Sequence, residues 1–120
     1  MGVTPQDLAR TLIRRRTEQR ARAEARAELL RGGVREAMAR LVAEGAISRA
    51  WLIGSLAWGE HGVGSDVDVV VEGLDPSAAP LIWDRLSGEL GARVDLLRIE
   101  SLEREFAARV RAEGVPLDVG

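Results

Sequence analysis

Apolar residues in the first third of the chain recur at the three- and four-residue spacing of a helix. Thr4-Pro5-Gln6-Asp7 is typical of a helix start, with a capping hydroxyl, proline in the first turn and an acid after it. We predict a helix from there to the Gly32-Gly33 pair, which would end it. Its middle, residues 14–28, has no apolar side chain larger than alanine and is predicted to be solvated. A second, amphipathic helix is predicted from Val34 to about Gly45.

Three later segments rich in Val, Leu or Ile predict short strands, with helices between and after the last two. The predicted strands cover 48–53, 66–72 and 92–99, and the predicted helices cover 79–90 and 101–113, the second capped by Ser101. This order predicts an α+β (mixed α/β) fold: a small mixed β-sheet of at least three strands, helices packed on one side, and a long N-terminal helix. A chain of 120 residues has room for one core. We therefore expect a helical extension over 1–33 and a single domain over 34–120.

Composition excludes several classes of chemistry. The chain has no Cys, which removes disulfides, Cys-zinc sites and thiol nucleophiles. All 17 basic residues are Arg, and without Lys neither a Walker A loop nor a Schiff base can form. No leading apolar stretch resembles a signal peptide and no run is long enough to span a membrane, so we expect a cytoplasmic protein. The net charge of −2, and Glu residues interleaved along the Arg-rich helix, argue against nucleic acid as a partner.

The candidate chemistry lies where two predicted strands meet the loop that joins them. Gly54-Ser55 follows one apolar run, and Asp66 and Asp68 stand two residues apart at the start of the next. Side chains at i and i+2 of a strand share a face, so these carboxylates would repel each other unless a cation lay between them. Mg²⁺ prefers such oxygen ligands and usually shares them with substrate phosphates. Residues 50–84 contain six acids and no Arg, so bound metal would have to supply the positive charge for a triphosphate.

The pattern G-S-x₃-G-x₅-S-D-x-D over residues 54–68 resembles the signature of the polymerase-β-like nucleotidyltransferase superfamily, in particular its minimal nucleotidyltransferases. Val94-Asp95-Leu96 is similar to the context of that family's third carboxylate, and Arg111-Ala112-Glu113-Gly114-Val115 to its closing motif. The resemblance covers roughly 34–117. The chain departs from it at Trp58, where family members often carry Arg, and near Gly62, where they often carry another basic residue.

The resemblance implies which residues act and what they do. The catalytic and metal-binding residues would be Asp66, Asp68 and Asp95, and the nucleotide-binding residues would be Gly54, Ser55 and Ser65. The implied reaction moves a nucleoside monophosphate, most often AMP from ATP, to a hydroxyl, with two Mg²⁺ ions during turnover. In a chain of this length we expect no second domain to bind the acceptor. The acceptor would then be brought by a partner chain or by a second copy, or would bind in an open cleft. The family often works beside a small helical HEPN protein as the antitoxin of a toxin–antitoxin pair.

Other interpretations stay open for the same residues. Asp66 and Asp68 also fit a solvated strand edge, and Gly54-Ser55 fits a tight turn without a ligand. Trp58 could stack on a nucleobase or cover the core of its own loop. The whole chain could be a catalytically weak module that binds nucleotide or a partner, or a small-molecule nucleotidyltransferase.

Overall fold

The computed structural model describes residues 2–59 and 66–117. Within these residues the chain forms four α-helices and four strands, with a short 3₁₀ helix at Ile99–Ser101. In chain order the helices and strands are α1 Pro5–Ala43, β1 Arg49–Ile53, α2 Gly54–Trp58, β2 Val67–Glu72, α3 Ala79–Leu90, β3 Val94–Arg98, α4 Arg104–Glu113 and β4 Val115–Pro116.

The first helix begins as predicted and ends elsewhere. Thr4 forms a reciprocal capping box with Asp7, and Pro5 occupies the first turn. The prediction that Gly32-Gly33 ends the helix is wrong, because α1 continues through the pair as one helix of 39 residues. Each glycine costs about 1 kcal/mol relative to alanine. The apolar face offsets this cost, since it runs unbroken across the pair into the core through Ala27, Leu30, Val34, Ala37, Met38 and Leu41.

Four strands form one mixed sheet in the order β3-β2-β1-β4. β1 runs antiparallel to both β2 and β4, and β2 runs parallel to β3. The fold class is therefore the predicted α+β class with a mixed sheet. β4 was not predicted because two residues, Val115 and Pro116, are too few to show an alternating pattern.

Helices cover both faces of this sheet. α1 and α3 pack on the face formed by Val67, Val69 and Val71, as predicted for helices on one side. The opposite face holds a smaller cluster made of Trp51, Ile53, Val70, Ile99 and Val110, and the last of these brings α4 onto it. The one-sided arrangement is therefore right for α1 and α3, and α4 is the exception.

α4 begins three residues later than predicted. Ser101 belongs to the 3₁₀ helix and does not cap α4, and its hydroxyl accepts a hydrogen bond from Arg98 at 3.0 Å. Glu103 occupies the cap position without a side-chain capping bond. The 3₁₀ turn places Ile99 in the smaller core cluster and turns the chain from β3 towards the face that α4 covers.

The N-terminal part of α1 extends away from the sheet. The molecule measures 66 × 30 × 24 Å, and the first buried residue of α1 is Ala27. Leu8, Leu12 and Ile13 are about half or more exposed on the projecting part. Among the described residues, no helix combines the length and apolarity needed to cross a membrane.

Candidate active site

Two of the predicted site carboxylates meet on adjacent strands. Asp68 of β2 and Asp95 of β3 are register partners, so they lie side by side on one face of the sheet. Ile53 of β1 is the partner of Asp68 on the other side and shares that face. This is the face that carries Val70 and α4, so the carboxylates open towards α4 and away from α1 and α3.

Gly54 lies directly against the Asp68 carboxylate. Its φ of 76° is in the left-handed region that favours glycine. A Cβ at this position would lie only 2.3 Å from Asp68 Oδ2. Both the backbone conformation and the close approach therefore require glycine, and the contact joins the start of α2 to the carboxylate pair.

The loop predicted between the first two strands begins as a helix. α2 occupies Gly54–Trp58 and ends at Gly59, whose φ of 88° is also left-handed. Ser55 is half-buried in the first turn of α2, next to the glycine that contacts Asp68. The third predicted nucleotide-binding residue, Ser65, lies outside the described residues.

The Asp68 carboxyl group has an unusual protonation equilibrium. Burial raises the pKa of Asp68, and the hydrogen bond and negative charge of Asp95, followed by the charge of Asp66, raise it further. A carboxyl group in such a pair is stabilised either by a shared proton or by a cation. The pair thus has the oxygen chemistry of a site for a hard divalent cation.

Asp66 is placed differently from the other two carboxylates. It immediately precedes β2, which begins at Val67. Across residues 2–59 and 66–117, no three acidic or histidine side chains are gathered closely enough to hold a metal ion. The structure therefore brings Asp68 and Asp95 together, with Asp66 near enough for its charge to act on Asp68.

The closing motif 111–115 has a structural role. Arg111 stacks on the buried Trp51 ring, with its guanidinium carbon 5.3 Å from the ring centroid, and forms an ion pair with Glu72. A Cβ on Gly114 would lie 2.6 Å from the Val110 carbonyl oxygen and 3.0 Å from Trp51 Cβ. The small residue lets the chain leave α4 close to β1, and Val115 then pairs in the sheet.

A pocket that the sequence did not reveal opens beside the carboxylates. It lies between α2 and α4 and has a volume of about 180 Å³. Phe106 and Arg109 of α4 line it together with Trp58 of α2. Phe106 lies on the pocket side of α4 and is 41% exposed.

A family model and a solved structure assign the chain to the same protein family. The family model of the nucleotidyltransferase domain matches residues 32–117. A solved structure described as a minimal nucleotidyltransferase is 32% identical, with a TM-score of 0.60, covering 68% of this chain and 87% of that one. No curated protein sequence matches the chain.

Two more distant structures share the fold. A toxin–antitoxin structure with AMP-PNP is 24% identical, with a TM-score of 0.59 and coverage of 69% of this chain and 71% of that one. The toxin–antitoxin MntA–HepT is 21% identical, with a TM-score of 0.52 and coverage of 70% and 68%. The matched range 32–117 covers β1, β2 and β3, the strands that bring Gly54, Asp68 and Asp95 together. The chain therefore belongs to the nucleotidyltransferase domain family and, within it, to the minimal nucleotidyltransferases.

Proposed function

We propose that this nucleotidyltransferase moves the nucleoside monophosphate of a nucleoside triphosphate, ATP first among them, to a hydroxyl group on a partner protein. The observation that carries the proposal is the Asp68–Asp95 pair packed against Gly54. Nucleotidyl transfer needs mainly positioning of phosphates and neutralisation of charge. The carboxylate pair can hold the cation that neutralises the phosphate charge, and the adjoining Gly-Ser turn can position the phosphates.

The residues present fit a divalent cation, and Mg²⁺ is the ion we propose. Asp68 and Asp95 supply hard oxygen donors, and their mutual repulsion favours a cation between them. Asp66 would complete the ligand set. When bound, the metal supplies the positive charge that neutralises the triphosphate and lowers the pKa of the acceptor hydroxyl.

The chain's own residues would bind and orient the substrates. The backbone at Gly54 and the Ser55 and Ser65 hydroxyls would hold the triphosphate. The acceptor oxygen then forms a bond to the α-phosphorus, the bond from that phosphorus to the α–β bridging oxygen breaks, and pyrophosphate leaves. Asp95, an exposed residue, would take the acceptor proton.

We further propose that the acceptor is a small helical protein of the HEPN type, in a toxin–antitoxin pair. Support comes from two structures of similar fold that are toxin–antitoxin complexes, one of them with AMP-PNP. The docking surface would include 14–28 of α1, where nearly every side chain is exposed and only Ala27 is buried. Two competing functions remain testable: a module that binds without transfer, and a transferase acting on small molecules.

The test incubates the chain with α-labelled ATP, Mg²⁺ and the purified helical partner. Label on the partner, lost with EDTA and in Asp68→Asn and Asp95→Asn, is the expected result. Asp75→Asn, an acid in the turn before α3, is the matched control and should label normally. Label on a small molecule without any partner would contradict the protein acceptor. No label, with Asp68→Asn still neutralising the partner, would instead favour the binding module.

A further inference from the structure

The pocket between α2 and α4 lies beside Asp68 and Asp95, the proposed catalytic residues. Its volume is about 180 Å³, which is the scale of one ring system and far below that of a whole nucleotide site. Its lining is mostly apolar and consists of Ile53, Gly54, Trp58, Phe106, Arg109, Val110 and Glu113.

The pocket shares residues with the proposed nucleotide site. Gly54, which contacts the Asp68 carboxylate, is itself part of the lining. Ile53, the register partner of Asp68, is also part of it. The pocket and the carboxylate pair therefore share one face of the sheet and are direct neighbours there. A ligand with phosphates at Gly54 can place an adjoining group in this pocket.

Two walls of the pocket are aromatic, although the chain has few aromatic residues. Of three Trp, one Phe and no Tyr, one Trp and the Phe line this pocket. Trp58 is 55% exposed and Phe106 is 41% exposed, so both rings have faces available for stacking. The Trp58 indole N–H donates to the Glu113 carbonyl oxygen at 3.3 Å, which fixes the ring against the end of α4. Stacking on a preset ring loses little side-chain entropy on binding.

The Arg109 guanidinium brings positive charge to the pocket. The Arg109 side chain is 71% exposed and meets Glu113 at 3.5 Å, a loose exposed pair that leaves the guanidinium available to a ligand. An exposed arginine beside an aromatic pocket can stack on a planar π system or bind the ribose and phosphate groups of a nucleotide.

We propose that this pocket receives the base of the donor nucleotide, with Trp58 and Phe106 as its stacking walls and Arg109 at its edge. The inference rests on the proposed function, since it assigns the base subsite of the same nucleotide. The polar side chains among the described lining residues, Arg109 and Glu113, are exposed and pair with each other, so stacking on Trp58 and Phe106 is the main interaction that the pocket offers a base. Purine nucleotides should therefore bind more tightly than pyrimidine nucleotides, because the larger ring stacks over more area.

Calorimetry with Mg²⁺ separates the base from the phosphates, using ATP and inorganic tripolyphosphate as probes. Trp58→Ala and Phe106→Ala should each weaken ATP binding roughly 5- to 150-fold, the range expected for loss of one stacking partner. Tripolyphosphate binding should change less than about 2-fold. Leu29→Ala, an exposed apolar residue of α1, is the control and should change neither affinity.

Tryptophan fluorescence gives an independent readout. ATP should quench Trp58, and Trp58→Phe should remove the quenching, whereas the similarly exposed Trp83→Phe should retain it. Equal ATP affinity in wild type, Trp58→Ala and Phe106→Ala would overturn the base subsite and leave the proposed function standing. Parallel losses for ATP and tripolyphosphate would also overturn it. Absence of ATP binding in the wild type would instead refute the proposed function itself.

Discussion

Gly54 meets two constraints at the site, one from its backbone and one from its neighbour. Its φ is left-handed, and it lies against the Asp68 carboxylate. Gly59, at the other end of α2, has an equally left-handed φ of 88°, but a Cβ there would meet nothing within 4 Å. Comparing these two glycines therefore separates backbone strain from steric conflict.

Gly54→Ala should destabilise the metal-free fold by about 2–4 kcal/mol, and Gly59→Ala by about 1–2 kcal/mol, because only the first adds a clash to the strain. Chemical denaturation in EDTA measures both. Placing Gly54→Ala in an Asp68→Ala background should reduce its cost to that of Gly59→Ala. An unchanged cost in that background would show that contact with the carboxylate is not the cause.

The charge on Asp68 destabilises the metal-free protein at neutral pH. Burial and the neighbouring Asp95 raise the pKa of Asp68, so the folded state binds this proton more tightly than the unfolded chain does. The stability this group contributes is present below the pKa of the unfolded chain, about 3.9, and is lost as the pH rises through the raised value. Asp68→Asn removes the charge and keeps the shape.

In EDTA at pH 7, Asp68→Asn should raise the melting temperature by roughly 1–4 °C, with the gain fading towards pH 4. Asp66→Asn should act in the same direction and more weakly, because it removes one charge that repels Asp68. Asp75→Asn is the opposite control: hydrogen bonds from Ser77 lower the pKa of Asp75, so its substitution should reduce stability at pH 7. A lower melting temperature for Asp68→Asn would identify that carboxylate as structural.

At the scale of an element, α1 holds two adjacent glycines in different surroundings. Gly32 is exposed and a Cβ there would meet nothing within 4 Å, whereas a Cβ on Gly33 would lie 3.0 Å from Leu90 Cδ2 of α3. Helix propensity alone favours alanine at both positions. Packing against α3 favours glycine at the second.

Gly32→Ala should therefore stabilise the protein by about 0.5–1 kcal/mol. Gly33→Ala should gain less or lose stability, since Leu90 must shift to admit the methyl group. Paired denaturant titrations compare the two variants under identical conditions. Equal gains would mean that α1 and α3 do not pack closely at this point.

At the scale of the whole molecule, the projecting part of α1 adds length without adding core. The core cluster takes no residue of α1 before Ala27 among the described residues. The exposed Arg, Glu and Ala side chains of this part suit a helix in water, and Leu8, Leu12 and Ile13 form a small apolar stripe near its start. Its stability comes from helix propensity and the capping box, and little from the sheet.

Deleting residues 2–22 should consequently move the melting temperature by no more than about 3 °C. If the projecting helix docks the partner, the same deletion should reduce partner labelling at least roughly tenfold while leaving ATP affinity unchanged. Calorimetry with ATP is the control for an intact nucleotide site. A collapse of the melting temperature would show that the projecting helix belongs to the folding unit.

Local chemistry in the sequence determined several features directly. The Thr4 cap, the valine-rich strand β2 and the glycine at the turn beside the predicted site follow from short-range rules of hydrogen bonding, strand propensity and φ. The motif over 54–68, with Asp95, also identified the family. These features depend mostly on residues a few positions apart, so they can be recognised in the sequence without the fold.

Only the tertiary structure decided the rest, because it depends on contacts between distant segments. The apolar face shared with the sheet and α3 carries α1 through Gly32-Gly33 against local propensity. Pairing of Val115 with Leu52 makes a strand of a two-residue segment, and α4 covers the second face of the sheet. The sequence by itself thus indicated the carboxylates and their chemistry. The fold determined that Asp68 pairs with Asp95, and that an aromatic pocket opens beside them between α2 and α4.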